Sequence, residues 1–425
     1  MTMAAFLGGA KSRLLPMSVP FRFFAAAALF HVLMWATLLT DAGNAVSFHG
    51  GFGPTLASIH LLTLGVLTMT AAGASVQLLP VATRRPIAAV WPIKLLFWIL
   101  TPGLIILVSG MYLGWPAPLA TGSGMVTVAL VLLAILLGDN LRRSRSLPVV
   151  SAFGWAALVS LVSLTAFGIA LIADYEKAIL PDHGAAALVH LILAGFGFMG
   201  LLAIGFSYVL VPMFSLAGSP NFRLASTVLA LAVGAILMGT VGAWSQNGDM
   251  LLVAAFAGLA ACSIHLVQMR GILKSGMRKR LGLSFVLVHI AWAMIPLCLC
   301  VGIAALGGYA GRNGITLFGF LLLFGWLLTF LLAILQRILP FLASMHAVRA
   351  PGQMPPQMSA LSSSWPLQLH AACHLAALAT ISVAIVLDHA ILGRVGIAAG
   401  LLGSLAFLWF TADVVRRATL PQSTT

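Results

Sequence analysis

The chain has 425 residues, of which 61% are hydrophobic and 7% charged, with a formal net charge of +14 at pH 7. So little polar surface cannot clothe a water-soluble globule of this size, and the apolar residues need lipid as their solvent. The excess of basic residues reports orientation in a bilayer and contact with anionic lipid, and requires no nucleic acid.

Read from the N-terminus, twelve apolar runs are long enough to cross a hydrocarbon core of about 30 Å as helices. They are 21–40, 55–80, 87–113, 121–138, 149–173, 184–214, 224–244, 250–270, 281–307, 315–342, 366–387 and 390–412. Strict apolar–polar alternation is absent, which argues against a transmembrane barrel and for an all-α integral membrane fold. Lys11 and Arg13 precede a first run too long for a cleavable signal, so it is predicted to remain as the first span.

With the N-terminus inside, nineteen Lys and Arg fall on the inner side, among them Lys11, Arg13, Arg84, Arg85, Arg145 and Arg349; Lys177, Arg312 and Arg394 alone fall outside. That asymmetry predicts an even number of spans with both termini in the cytoplasm of a bacterial inner membrane. The longest connection is expected over 343–365, a Pro-, Ser- and Met-rich inner loop. Cys262, Cys298, Cys300 and Cys373 all lie in spans, where a disulfide framework is not expected.

An internal period runs through these spans. His60 and His190 are 130 residues apart, Gly65, Gly195 and Gly325 repeat at that step, and Pro80, Pro212 and Pro340 follow near the inner helix ends. The simplest reading is three units of four helices, roughly 15–140, 141–275 and 276–415, with spans two, six and ten equivalent. The alternative is coincidence, because glycine, leucine and proline are common in membrane helices.

Polar groups inside a membrane are costly and mark candidate sites. His60 and His190 stand near the outer ends of spans two and six, where an imidazole can ligate a metal through one nitrogen while a hydrogen bond fixes the other. Small residues follow each, Gly65 and Gly73 in one and Gly195, Gly197 and Gly200 in the other, which would let a flat ring approach the backbone. The plainer reading is a histidine bonded to a backbone carbonyl or to headgroup water.

A second set, His370, Cys373 and His374, shares one face near the inner end of span eleven at i, i+3 and i+4, a spacing that suits copper or zinc. Cys262 and His265 on span eight end on the same side, and His289 enters span nine there, so the group is a candidate inner metal site. Chance pairs of buried Cys and His give the same pattern. His31 lies near the middle of span one; His49, His183 and His389 fall in outer loops and His346 in an inner one. Lys94 and Arg337 are expected to snorkel to the interface. All eight carboxylates sit in loops or at helix ends, which argues against a proton pump or a proton-driven permease.

A histidine near the outer end of a helix, then a glycine-bearing apolar stretch, then Tyr208-Val-Leu-Val-Pro212 resembles the heme-ligand helix of heme-copper oxidase subunit I. The segment 59–85 is similar to the second span of short oxidase-like proteins, including the NnrS type. The match covers about fifty residues in two helices. It implies a pseudo-threefold bundle of twelve helices that binds heme, with or without copper, and redox partners or oxidase-like subunits beside the bilayer; His60 and His190 are the ligands inferred from their place in the spans.

Position 320 is Phe320 where the family carries a second heme ligand, span seven has no histidine pair for copper, and no Trp-His-x-His-Glu segment occurs. The expectation is therefore electron transfer, nitric-oxide response or metal-cofactor handling without a complete oxygen-reducing centre. A transporter or channel for a small neutral or metal solute, or a cofactor-free scaffold subunit, is the alternative.

Overall fold

The computed structural model describes residues 15–83, 89–143, 148–347 and 356–419. Within them lie twelve helices long and apolar enough to cross a membrane. They are α1 Ser18–Leu39, α2 Pro54–Leu78, α3 Trp91–Leu113, α4 Pro116–Arg143, α5 Pro148–Lys177, α6 His183–Ser215, α7 Phe222–Trp244, α8 Gly248–Ser275, α9 Leu283–Leu306, α10 Gly314–Ala347, α11 Ser364–Leu387 and α12 Ala390–Thr419. The fold is all-α and of membrane type, with no strand among the described residues. Lys11, Arg13, Arg84, Arg85, Arg145 and Arg349, counted above for orientation, lie outside the described residues.

Several helices outrun their apolar windows, because a helix ends where its caps are and not where the hydrocarbon stops. The window 121–138 sits inside α4, and α10 continues to Ala347, which shortens the inner connection expected over 343–365. Side-chain oxygens of Asp182, Asn221 and Asn247 accept the first free N–H groups of α6, α7 and α8, each worth about 1 kcal/mol. Apolar side chains such as Val159, Leu237, Phe256 and Val386 are exposed along the outside, the surface lipid would cover. Exposed Trp91, Trp365 and Trp409 band one end of the bundle, and Trp115, Trp244 and Tyr309 the other.

The two ends differ in charge. Six carboxylates, Asp41, Asp174, Glu176, Asp182, Asp249 and Asp388, lie at the Tyr309 end. The other two, Asp139 and Asp413, are each paired with arginines of their own helix: Arg142 and Arg143, and Arg416 and Arg417. No described carboxylate is left in the middle of a span.

Helices α2, α6 and α10 share one irregularity. Each contains eight residues wound as π-helix, Leu61–Thr68, Leu193–Gly200 and Leu321–Leu328. In each, the fifth residue is a glycine, Gly65, Gly197 and Gly325, and a proline, Pro80, Pro212 and Pro340, lies nineteen residues beyond the first. The structural register thus pairs Gly197, not Gly195, with Gly65 and Gly325. Hydroxyls accompany the widened turns: Thr68 Oγ1 donates to the Thr63 carbonyl and Thr329 Oγ1 to that of Phe324, both five residues back and both at 2.8 Å. Such π segments collect at functional sites in helical proteins.

The three glycines explain how the units are built. A Cβ on Gly65 would stand 2.8 Å from Phe30 of α1, one on Gly197 2.7 Å from the Cβ of Ser160 of α5, and one on Gly325 3.2 Å from Met294 of α9. The helix preceding each central span therefore sends one side chain into the same notch. This repetition of packing, not only of residues, is what a threefold internal repeat requires. It also corrects the expectation that these glycines admit a flat ring: Gly65, Gly73, Gly195 and Gly200 are faced by Phe30, Phe23, Leu322 and Trp326.

Candidate functional site

Three histidine-containing centres emerge. The first joins α2 and α6 near the Tyr309 end. Pro54 opens α2 after Gly53, whose φ of +138° only glycine adopts easily, and Asp182 caps α6. His60 Nδ1 lies 3.1 Å from the Leu56 carbonyl of its own helix, and His190 Nδ1 lies 2.9 Å from the Leu164 carbonyl of α5. A carbonyl can only accept, so in both rings Nδ1 carries the proton and Nε2 holds the lone pair. The rings are 6.5 Å apart between centroids, with planes 26° from parallel.

Two imidazoles on opposite sides of one metal ion stand about 6.4 Å apart by centroid, given metal–nitrogen bonds of about 2.0–2.1 Å. The His60 and His190 centroids stand at about that separation, and each ring makes the carbonyl bond that metal-binding histidines generally make. Above them Phe52 packs on Tyr175 at 4.1 Å, and Tyr175 on His183 at 4.7 Å. His183 Nδ1 meets Asp174 at 2.8 Å, and its side chain stays partly exposed, as expected of an outer-loop histidine.

The second centre is a cavity of about 670 Å³ whose lining runs from His49 and Thr55 to Phe324, Cys262 and His265. Ile59 and Leu191, sequence neighbours of His60 and His190, line it while the histidines do not. The paired imidazoles and this cavity thus lie on adjacent faces of the same two helices. Cys262 and His265 share the cavity wall, and His265 Nδ1 lies 3.2 Å from the Tyr208 hydroxyl. Phe320, which the π register aligns with His60 as the residue before its segment, stacks on Phe324 at 4.9 Å and also lines the cavity.

The third centre lies deep in the bundle, where α1, α10, α11 and α12 meet. His31, His370 and His374 are all buried. His370 is 6.2 Å from His31 and 5.6 Å from His374 by ring centroid. Trp35 Nε1 donates to His31 Nε2 at 3.1 Å, His370 Nδ1 bonds the Gly403 carbonyl at 3.1 Å, and His374 Nε2 bonds Thr329 Oγ1 at 2.7 Å. Cys373 turns toward α12, its Cβ 3.0 Å from the Cβ position of Gly403.

The structure therefore does not assemble the inner group anticipated from spacing. His370 and His374 meet His31, Cys262 and His265 belong to the cavity wall, and His289 is exposed and bonds its own Phe285 carbonyl. Among the described residues no three His, Cys, Asp or Glu side chains converge as metal ligands. His31, near the middle of α1, joins His370 and His374, and its one local signal in the sequence is Trp35 a turn later.

Compared with known proteins, the sequence matches no family model and no curated protein. The site rests on its own geometry.

Proposed function

We propose that this chain is a heme-binding membrane protein, with His60 and His190 as the iron ligands, acting in electron transfer, nitric-oxide response or metal-cofactor handling. The observation that carries this is the pair itself: two imidazoles with centroids 6.5 Å apart on two helices, each with Nδ1 held by a backbone carbonyl and Nε2 left as a lone pair. A bound heme would supply reversible one-electron chemistry or a place for a diatomic ligand. The residues would contribute ligation from His60 and His190 and orientation of their rings from the Leu56 and Leu164 carbonyls.

The protein purified in mild detergent is expected to show a Soret band and sharp bands on reduction. A colourless protein, with or without copper, would end the proposal. The cavity supports a second reading, passage or storage of a small neutral apolar solute, because its lining is almost wholly apolar.

We also infer that the termini face the cytoplasm of a bacterial inner membrane, from the basic residues gathered at the Met277 end. Single cysteines replacing Tyr309 and Met277, both highly exposed, test this with a membrane-impermeant thiol reagent. Labelling of intact spheroplasts at position 309 but not at 277 is expected; the reverse would invert the topology.

A further inference from the structure

The deep centre at α1, α10, α11 and α12 holds buried ring nitrogens without hydrogen-bond partners. Thr329 gives its hydroxyl proton to the Phe324 carbonyl, so toward His374 its oxygen only accepts. His374 Nε2 therefore carries the proton and its Nδ1 is bare. His370 gives its Nδ1 proton to Gly403, which leaves Nε2 bare. That Nε2 is buried with no hydrogen-bond partner, and so is His31 Nδ1. Because His31 Nε2 accepts from Trp35, its Nδ1 is an N–H, a donor without an acceptor.

Buried polar atoms normally find partners, and two unpartnered ring nitrogens, on His31 and His370, with the lone pair of His374 on the neighbouring ring, are costly in a hydrocarbon setting. Rings of i and i+4 histidines that share one ion at an angle between tetrahedral and trigonal stand about 5–6 Å apart; His370 and His374 stand at 5.6 Å. The set offers two neutral lone pairs, one spare N–H and no carboxylate.

Zinc takes four ligands and brings two charges, and the desolvation cost of a bare ion grows with the square of its charge. A monovalent ion that accepts imidazole and tolerates few ligands fits better, and among biological metals that is reduced copper. We propose that His370 and His374 bind one Cu(I) ion deep in the membrane, with His31 Nδ1–H as hydrogen-bond donor to the ion's third ligand. Cys373, turned to α12, takes no part. This centre is independent of the His60–His190 pair.

The test starts from the full chain carrying His60→Ala and His190→Ala, so that copper at the outer pair cannot be counted. Titrated anaerobically with Cu(I) against bathocuproine disulfonate, it is expected to bind one equivalent. Adding His370→Ala or His374→Ala should weaken binding at least 100-fold. Thr329→Val, which frees His374 from its fixed tautomer, should weaken it about 10- to 100-fold, and Cys373→Ser should leave it unchanged. X-ray absorption of the copper-loaded parent, with its deep histidines intact, provides a reading that does not depend on how the variants fold: nitrogen scatterers only are expected. Absence of Cu(I) binding in the parent, sulfur in the first shell, or full binding by His370→Ala would each overturn the proposal.

Discussion

On the proposed heme ligation, His190→Ala is expected to lower the absorption bands per mole of protein at least tenfold while the helical circular dichroism is kept. The argument is geometric. His190 is held by the Leu164 carbonyl of α5 at 2.9 Å, so its imidazole is placed by a neighbouring helix and not by its own. His60 is held by Leu56 within α2, and His60→Ala should cause a comparable loss. A subtler variant separates ligation from mere burial. A Cβ on Gly168 of α5 would lie 3.3 Å from His190 Cε1, one turn beyond Leu164. Gly168→Val should therefore push the ring off its carbonyl, broadening or shifting the bands without deleting a ligand. Unchanged spectra in both His190→Ala and His60→Ala would remove the pair from any cofactor role.

The architecture was legible in the sequence because the bilayer imposes it. Each run of some twenty apolar residues must be a helix whose backbone bonds itself, and eight carboxylates in 425 residues left little freedom in what could lie at mid-depth. The threefold repeat was visible too, but blurred. The true steps are 132 and 128 residues between the first residues of the π segments, at 61, 193 and 321. A mean step of 130 therefore picked Gly195 where the packing uses Gly197.

The repeat told that spans two and six both face the centre, but in the π register the equivalent of His60 is Ile192, so the meeting of His60 with His190 is a contact between non-equivalent positions. The deep centre did not follow from the repeat. His31 and His370 are 339 positions apart on helices that no period relates, and the orientation of Cys373 is set by Gly403 on the next helix. Spacing on one helix shows which residues share a face; it says nothing of what that face meets. The π-helical winding was equally hidden, since an eight-residue apolar stretch reads alike in either helical register.

Gly122→Val should be the most damaging single change to the scaffold. Helices α3 and α4 form an antiparallel hairpin in which Gly103, Gly110 and Gly122 stand against the opposite chain. A Cβ at Gly110 would lie 2.6 Å from the Leu119 amide nitrogen, one at Gly103 2.7 Å from Met125 Cβ, and one at Gly122 would run into the amide nitrogen of Leu107. Backbone cannot rotate away as a side chain can, so the helices would have to separate along their length. Overpacking of this kind costs about 1–3 kcal/mol and more where backbone must move, and in lipid that close packing is itself what holds helices together. Gly124, two residues further along α4, has nothing within 4 Å of its Cβ position. Gly124→Val adds the same side chain to the same helix on its open face, and its effect should stay within about 0.5 kcal/mol. Thermal unfolding in detergent, followed by aggregation on size exclusion, compares the two. A large fall for Gly122→Val beside an unchanged Gly124→Val would show that helix contact and not helix propensity sets the stability of the hairpin; equal falls would show the reverse.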